Sequence, residues 1–407
     1  MNITIDYPFW LVCLALVFAL AWLIQLVLQL WVWLAPLRHA RRTQTSAEQM
    51  AAGAQPGVSV LVYSRNQAEA LARNLPTLLH QNYPDYEVIV LDDCSLDDTQ
   101  DVLGMMDQRS DRLFHTRIDE RARAMSHRKL AVLLGAKASH YEVILMTHAE
   151  CLPASEDWIA GMMRHFANPA VEVVLGPVAY ERRTGFLSRF CQFDFFQRLL
   201  LLFGITLSTR GFAGWGQNLA FRKSTFYANR SQGFQRHLKM QPGEDDLFVA
   251  DVARQGNVAV ECQASSLVTD QAKPLFVSWS LERLNRGFTS RLYAWLPSFI
   301  RGLDYATRYL TVLPGLFMIA YTLYIIIGAG GVHPMAWAVL AVVLLLLLAR
   351  AGLMAYTYRS TARVLKLHPM LSWPLLLDLY TPMVDLWFRC KALLHKGRFG
   401  VSRIGLQ

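Results

Sequence analysis

Residues 8–36 run almost without interruption through apolar side chains, with Gln25 and Gln29 the only polar ones. A helix needs roughly 20 such residues to cross a bilayer, where each backbone N–H and C=O must be satisfied within its own segment. Two further stretches of that kind, 309–327 and 335–358, come late in the chain. They are separated by the turn-forming sequence of residues 328–334. A chain built this way is expected to hold one globular domain against a membrane by helices at both ends. At 53% hydrophobic and 17% charged residues, the whole is too apolar for an ordinary soluble protein.

Charge placement orients it. Asp6 precedes the first stretch, and Arg38, Arg41 and Arg42 follow it. Arg359, Arg363 and Lys366 follow the third. By the excess of cations on the cytoplasmic side, the N-terminus is expected outside and the domain inside, in the cell (inner) membrane. The first stretch is too long for a signal-peptide core and lacks a basic leader, so it is expected to remain as an anchor. Residues 371–388 are apolar but carry Asp378 and Asp385 between basic flanks that include Arg389, Lys391, Lys396 and Arg398. They suit an amphipathic segment lying in the cytoplasmic interface better than a fourth span. The net charge of +9 gathers beside these stretches, which favours membrane lipids as partners over nucleic acid. Six cysteines without a Cys-x-x-Cys pair read as free thiols in a reducing compartment.

Residues 43–57 read as a linker, and the domain is expected over 57–300. Strands are expected at 58–63, 86–91 and 143–147, with further candidates at 171–178 and 218–222. Helical patterns at 67–80, 98–108 and 129–138 alternate with them. Such alternation implies an α/β fold with a parallel sheet, whose ligands collect beyond the carboxyl ends of its strands. Four polar clusters fall at such ends or at helix starts. They are Tyr63 to Asn66, Asp92-Asp93, Thr147 to Glu150, and Gly243-Glu244-Asp245-Asp246. His148 and Glu150 share one side of the strand end, and both are competent metal ligands, although a polar strand end also serves to start a loop. A single acid opening a helix offsets the helix dipole, whereas three adjacent acids exceed that need and resist joint ionisation, so one could serve as a base.

The order of these clusters resembles the membrane-anchored family-2 glycosyltransferases of the GT-A fold. The likeness covers roughly residues 57–290 and is most specific over 58–95, through Val58 to Asn66, Leu78 to Pro84 and Glu87 to Ser95. It implies a GT-A-type mixed sheet flanked by helices, plus the N-terminal and two C-terminal transmembrane helices and the interfacial segment. It further implies a nucleotide-diphosphate sugar donor with its nucleoside against Tyr63, Arg65 and Asp93, and a lysine at Lys129. Gly216 to Arg222 is similar to the family's acceptor-side loop. Gly243 to Asp246 is similar to its catalytic motif, with Asp245 in the place of the base and Glu244 and Asp246 beside it. The family's Asp-x-Asp metal motif is replaced by His148-Ala149-Glu150, set between Thr147 and Cys151. That leaves a divalent cation (Mg or Mn) with fewer anionic ligands. Manganese is accepted, or His148 itself neutralises phosphate, or catalysis is lost. The family's Gln-x-x-Arg-Trp motif is degenerate here, with Arg283 and Arg286 as stand-ins for its arginine or as a basic helix face on the bilayer.

The expected activity is that of an inverting glycosyltransferase, of hexosyltransferase type, acting on a lipid-linked or membrane-bound acceptor at the cytoplasmic leaflet. It belongs to polysaccharide or glycolipid biosynthesis. Three spans are few for a channel that extrudes a polymer, so single transfer is favoured over a processive synthase. A non-catalytic glycosyltransferase-like subunit is the reading from another class.

Overall fold

The computed structural model describes residues 9–50, 55–119, 126–228, 237, 240, 242–271, 275–328, 334–367 and 374–394. Arg121, Arg123, Lys396, Arg398, the turn at 329–333 and residues 371–373 of the expected interfacial segment lie outside these.

The domain is organised by a mixed sheet ordered β3-β2-β1-β4-β8-β6-β9. Its parallel half consists of β1 (Val58–Ser64), β2 (Tyr86–Asp92), β3 (Leu113–Arg117) and β4 (Val143–His148). Alternate residues of β1 and β4 pack on opposite sides. Val60, Val62 and Leu145 join one core, while Leu61, Ile144 and Met146 join another. A sheet buried on both faces requires near-continuous apolar strands, which is why these were legible as short apolar runs. β5 (Cys151–Pro153) leaves the sheet after the polar cluster at its edge. The other half holds β6 (Val173–Leu175), β8 (Leu219–Arg222) and β9 (Val258–Val260); β8 runs antiparallel to both β4 and β6, whereas β6 and β9 pair in parallel. β7 (Val178–Tyr180), β5 and β10 (Val268–Asp270) form a separate small sheet.

The expected strand at 171–178 is therefore two strands in two sheets. Pro177 has no N–H to give a ladder, and Gly176 sits where a Cβ would lie 2.3 Å from Asn218 Cγ. The buried Asn218 side chain bridges the two sheets. Its Nδ2 donates to the Pro177 and Ser266 carbonyls, both at 2.9 Å.

The N-terminal stretch forms α1 (Phe9–Leu28), a π-helical turn over Gln29–Trp33, and α2 (Ala35–Met50). The expected linker at 43–57 is thus helical at its start. Within the domain come α3 (Ala68–Leu79), α4 (Thr99–Asp107), α5 (His127–Ala138), α6 (Trp158–Met163), α7 (Phe186–Ser208), α8 (Lys223–Tyr227), α9 (Asp246–Val252) and α10 (Leu275–Thr289). The chain closes with α11 (Trp295–Gly328), α12 (Pro334–Val364) and α13 (Pro374–Leu394). Among the described residues, four helices are long and apolar enough to cross a membrane: Phe9–Thr43, α7, α11 and α12. Leu16, Leu20, Leu313, Leu345 and Leu348 face outward, as a lipid-covered surface would have them. α7 differs, because most of its residues are buried inside the molecule and its Asp194 and Arg198 are paired there. No sequence expectation anticipated α7. It is apolar almost all round, which marks a buried helix and leaves no stripe to read.

Charges also sit between α11, α12 and α13. Arg308 pairs with Asp304 and Asp378, each at 2.5 Å, and Arg350 pairs with Asp378 at 2.8 Å. Gln25 of α1 donates to Thr307 at 2.7 Å. Two carboxylates and two guanidiniums, all nearly inaccessible, compensate one another. Asp378 therefore faces the other helices and not a polar surface of its own.

Candidate active site

The parallel strands end side by side. In register, Tyr63 of β1 lies between Leu91 of β2 and His148 of β4. A cleft of about 160 Å³ opens beyond this edge. Its wall includes His148 and Glu150 on one side and Glu244, Asp245 and Asp246 on the other. Two acidic clusters 94 residues apart in the chain thus share one space.

Asp245 is the N-cap of α9, and its side chain accepts from the Asp246 N–H at 2.6 Å. Asp245 also accepts from the Gly216 N–H at 2.8 Å and from Arg286 Nη2 at 2.9 Å. Burial pushes its pKa up, but Arg286 and these two N–H groups outweigh burial and hold it below the usual carboxylate range. Asp246 moves the other way. Its own burial and the neighbouring Asp245 charge raise it, although Arg286 pulls against them. It is held by Thr289 Oγ1 and by Tyr293 OH, the latter at 2.5 Å. Adjacent carboxylates are thereby pushed apart, with Asp245 kept ionised. Glu244 accepts from Arg128 at 3.2 Å, and its buried Oε2 has no partner among the described residues.

The backbone at Gly216 fits between His148 and Asp245. A Cβ there would lie 3.4 Å from His148 Nε2 and 3.5 Å from Asp245 Oδ2. His148 Nδ1 is 3.9 Å from Glu150 Oε1. Burial holds the imidazole below its ordinary pKa against the pull of Glu150, so it is neutral and able to ligate a metal. One carboxylate and one neutral imidazole fit a borderline cation such as manganese better than magnesium, which prefers an all-oxygen shell.

At the end of β1, Tyr63 donates its hydroxyl to Asp93. Arg65 Nη1 lies 3.4 Å from the same carboxylate, and His127 Nδ1 lies 2.5 Å from its second oxygen. Asp93 is inaccessible, whereas Arg65 is half exposed. The Arg128 guanidinium covers the Tyr63 ring at 5.2 Å while it pairs with Glu244. This arginine belongs to the basic run at 121–128, which on sequence grounds reads most simply as a solvated face. In the fold it lines the cleft and connects Tyr63 to the acidic cluster.

Tyr63, Arg65 and Asp93 are thus not part of the cleft wall itself but border it through Arg128, and Lys129 and Arg283 lie elsewhere. Lys129 is fully buried, donates to the His237 and Met240 carbonyls, and does not line the cleft. It holds the chain that leads into Gly243. Burial lowers it to about 8, against the pull of Glu244, Asp246 and Asp245. Arg283 is also absent from the cleft wall. It pairs with Asp194 at 2.5 Å and Asp385 at 2.9 Å, tying α10 to α7 and α13. Arg286, one helical turn on, is the one that reaches the site. Trp215 and Trp279 are buried, and the Trp279 indole donates to Asp194 at 2.7 Å. Sequence reasoning missed Asp270, which ends β10 and lines the cleft with Tyr180, Glu282 and Asn285. The signal was an apolar Leu267-Val268 running into Thr269-Asp270, too short to separate from a loop.

Residues 59–236 match the model of the family described as Glycosyl transferase family 2. Over these residues, which include the parallel strands and His148 and Glu150, the chain is similar to family-2 glycosyltransferases. The acidic motif at 243–246 lies just beyond the matched residues. A curated relative, the putative teichuronic acid biosynthesis glycosyltransferase TuaG of Bacillus subtilis (strain 168), is 31% identical over 77 residues. That match covers 19% of this chain and 31% of the relative's length. Among solved structures, the mannosyltransferase PcManGT from Pyrobaculum calidifontis in complex with GDP-Man and Mn2+ aligns with TM-score 0.46 and 16% identity. The alignment covers 90% of this chain and 99% of that one. S. aureus TarS 1-349 aligns with TM-score 0.38 and 13% identity, covering 84% and 91% of the two chains.

Proposed function

We propose that the protein is an inverting glycosyltransferase. It moves one sugar from a nucleotide-diphosphate donor to a lipid-linked or membrane-associated acceptor at the cytoplasmic leaflet. The observation that carries this reading is the single cleft shared by Glu150, His148 and Asp245, with Arg128 of its wall stacked on Tyr63 of the Tyr63–Asp93 pair. The nucleoside lies against Tyr63, Arg65 and Asp93, and the diphosphate lies over His148 and Glu150. Asp245 takes the proton of an acceptor hydroxyl. That oxygen bonds to the anomeric carbon as the bond to the diphosphate breaks, and the nucleoside diphosphate leaves with the electron pair. His148 and Glu150 would hold a divalent cation, which when bound offsets the charge gathering on the leaving diphosphate. Arg286 is placed to turn from Asp245 toward the same phosphates. Its departure would remove the main influence that depresses Asp245 and so strengthen the base as donor binds. Arg128 supplies a second cation over the same region.

The test is release of nucleoside diphosphate from candidate sugar donors by the purified protein in lipid, with Asp245→Asn alongside. Turnover by the native protein that Asp245→Asn abolishes is expected. Absence of release from any common donor, with and without manganese, would favour the non-catalytic subunit.

A further inference from the structure

Next to the cleft lies a second cavity, of about 60 Å³, which the reaction above does not use. Arg198, Arg283, Arg286 and Arg301 line it, against one carboxylate, Asp385. Three of these arginines are committed. Arg198 pairs with Glu282 at 2.7 Å, Arg283 with Asp194 and Asp385, and Arg286 with Asp245. Arg301 differs. Among the described residues it has no ion-pair partner, and its guanidinium lies 5.9 Å from the Tyr293 ring centroid. The nearby Asp385 is already taken up by Arg283 at 2.9 Å and Arg389 at 2.7 Å. A half-buried guanidinium whose one nearby carboxylate, Asp385, is shared with Arg283 and Arg389, in a cavity walled by three other arginines, is suited to a phosphate.

The remaining walls say what the phosphate is attached to. Leu201, Leu202 and Phe212 are apolar. Arg301 ends the second turn of α11, ahead of residues apolar enough to cross a membrane. Trp295 and Phe299, in the same two turns, are exposed at 74% and 57%, a surface that a lipid would cover. The volume is too small for a nucleotide and adequate for one headgroup phosphate. Arg286 lines both cavities, and its Nη2 is bonded to Asp245. An anion here is thus one guanidinium away from the carboxylate at which transfer would occur.

We propose that this cavity binds the phosphate head of a lipid that carries the acceptor, with Arg301 as its dedicated counter-ion. The identity of the lipid as acceptor carrier rests on the glycosyltransferase reading; the binding of a lipid phosphate does not.

Equilibrium binding to the full-length protein in neutral detergent tests it, with dodecyl phosphate, dodecanol and inorganic phosphate as probes. Dodecyl phosphate should bind, and Arg301→Gln should weaken it by about tenfold or more, the loss expected for one charge-assisted contact. Dodecanol and inorganic phosphate should each bind far more weakly. Nucleoside diphosphate binding by Arg301→Gln serves as the check of folding. If that variant does not fold, Arg301→Lys decides, and binding within a few-fold of the native protein supports the site. Equal dodecyl phosphate binding by native protein and folded Arg301→Gln overturns the proposal, as does loss of binding in a folded Arg301→Lys when the Gln variant fails to fold. Dodecanol binding as tightly would mean an apolar pocket only, and inorganic phosphate binding as tightly would mean a bare anion site. Either outcome overturns it. No turnover enters this measurement, so failure of the glycosyltransferase reading would appear separately, in the donor-release assay.

Discussion

Arg286 and Asp245 form an ion pair at 2.9 Å, within the cleft and 41 residues apart in the chain. Arg286 also donates to the Gly214 carbonyl at 2.7 Å, so its guanidinium is fixed from two sides. The pair sets the resting state of the proposed base: ionised, depressed and restrained.

Asp245→Asn keeps the shape of the helix cap and removes the proton acceptor. Turnover at saturating donor should fall by about 10²–10⁴, the usual contribution of a positioned general base. Donor affinity, measured by nucleotide-sugar binding, should change much less. An equal loss of affinity and turnover would argue against the role of base.

As a proposed ligand, His148 would set the metal preference. Its imidazole is held below 6.5 by burial, so the ligating neutral form persists until the pH falls under that value. Manganese affinity of the native protein should stay flat from about pH 8 to about 6.5 and weaken only below it, because protonation then competes. His148→Asp restores an oxygen ligand and should raise the activity with magnesium relative to manganese by about tenfold. Metal titrations of donor turnover at two pH values measure both effects.

Arg128 lines the cleft, covers Tyr63 and pairs with Glu244. Arg128→Ala should raise the donor KM by about tenfold, the worth of one charge-assisted contact to a phosphate or its organiser. Thermal stability should hardly move, since the side chain is nearly half exposed.

Arg283 carries the opposite expectation. Its side chain is 2% exposed and answers both Asp194 and Asp385. Arg283→Gln leaves buried carboxylates without their shared cation and should cost about 3 kcal/mol or more of stability. A lowered unfolding temperature in detergent should report this, with donor affinity retained by the protein that remains folded.

The parts of this protein that were legible from sequence depend on near neighbours. β1, β2 and β4 announced themselves because strands buried on both faces must be apolar throughout, and the spanning stretches because a bilayer demands length and apolarity. Asp245, Glu150 and Tyr63 stood out because polar clusters follow such strands or open a helix. The choice between Arg283 and Arg286 was not legible. They are one turn apart on α10, and only the packing of α7 and α13 against that helix decides which one meets Asp194 and which one meets Asp245. The same holds for Lys129, which binds backbone carbonyls, and for Arg128, which reaches Glu244 across 116 residues. α7 stayed hidden because a helix enclosed on all sides has no polar face to set its period. Local periodicity and solvent contrast were thus determined by the sequence alone. The partner of each buried charge was decided by the tertiary structure, because a charge withdrawn from water pairs with whatever opposite charge the folded chain brings within a few ångströms, at any distance along the chain.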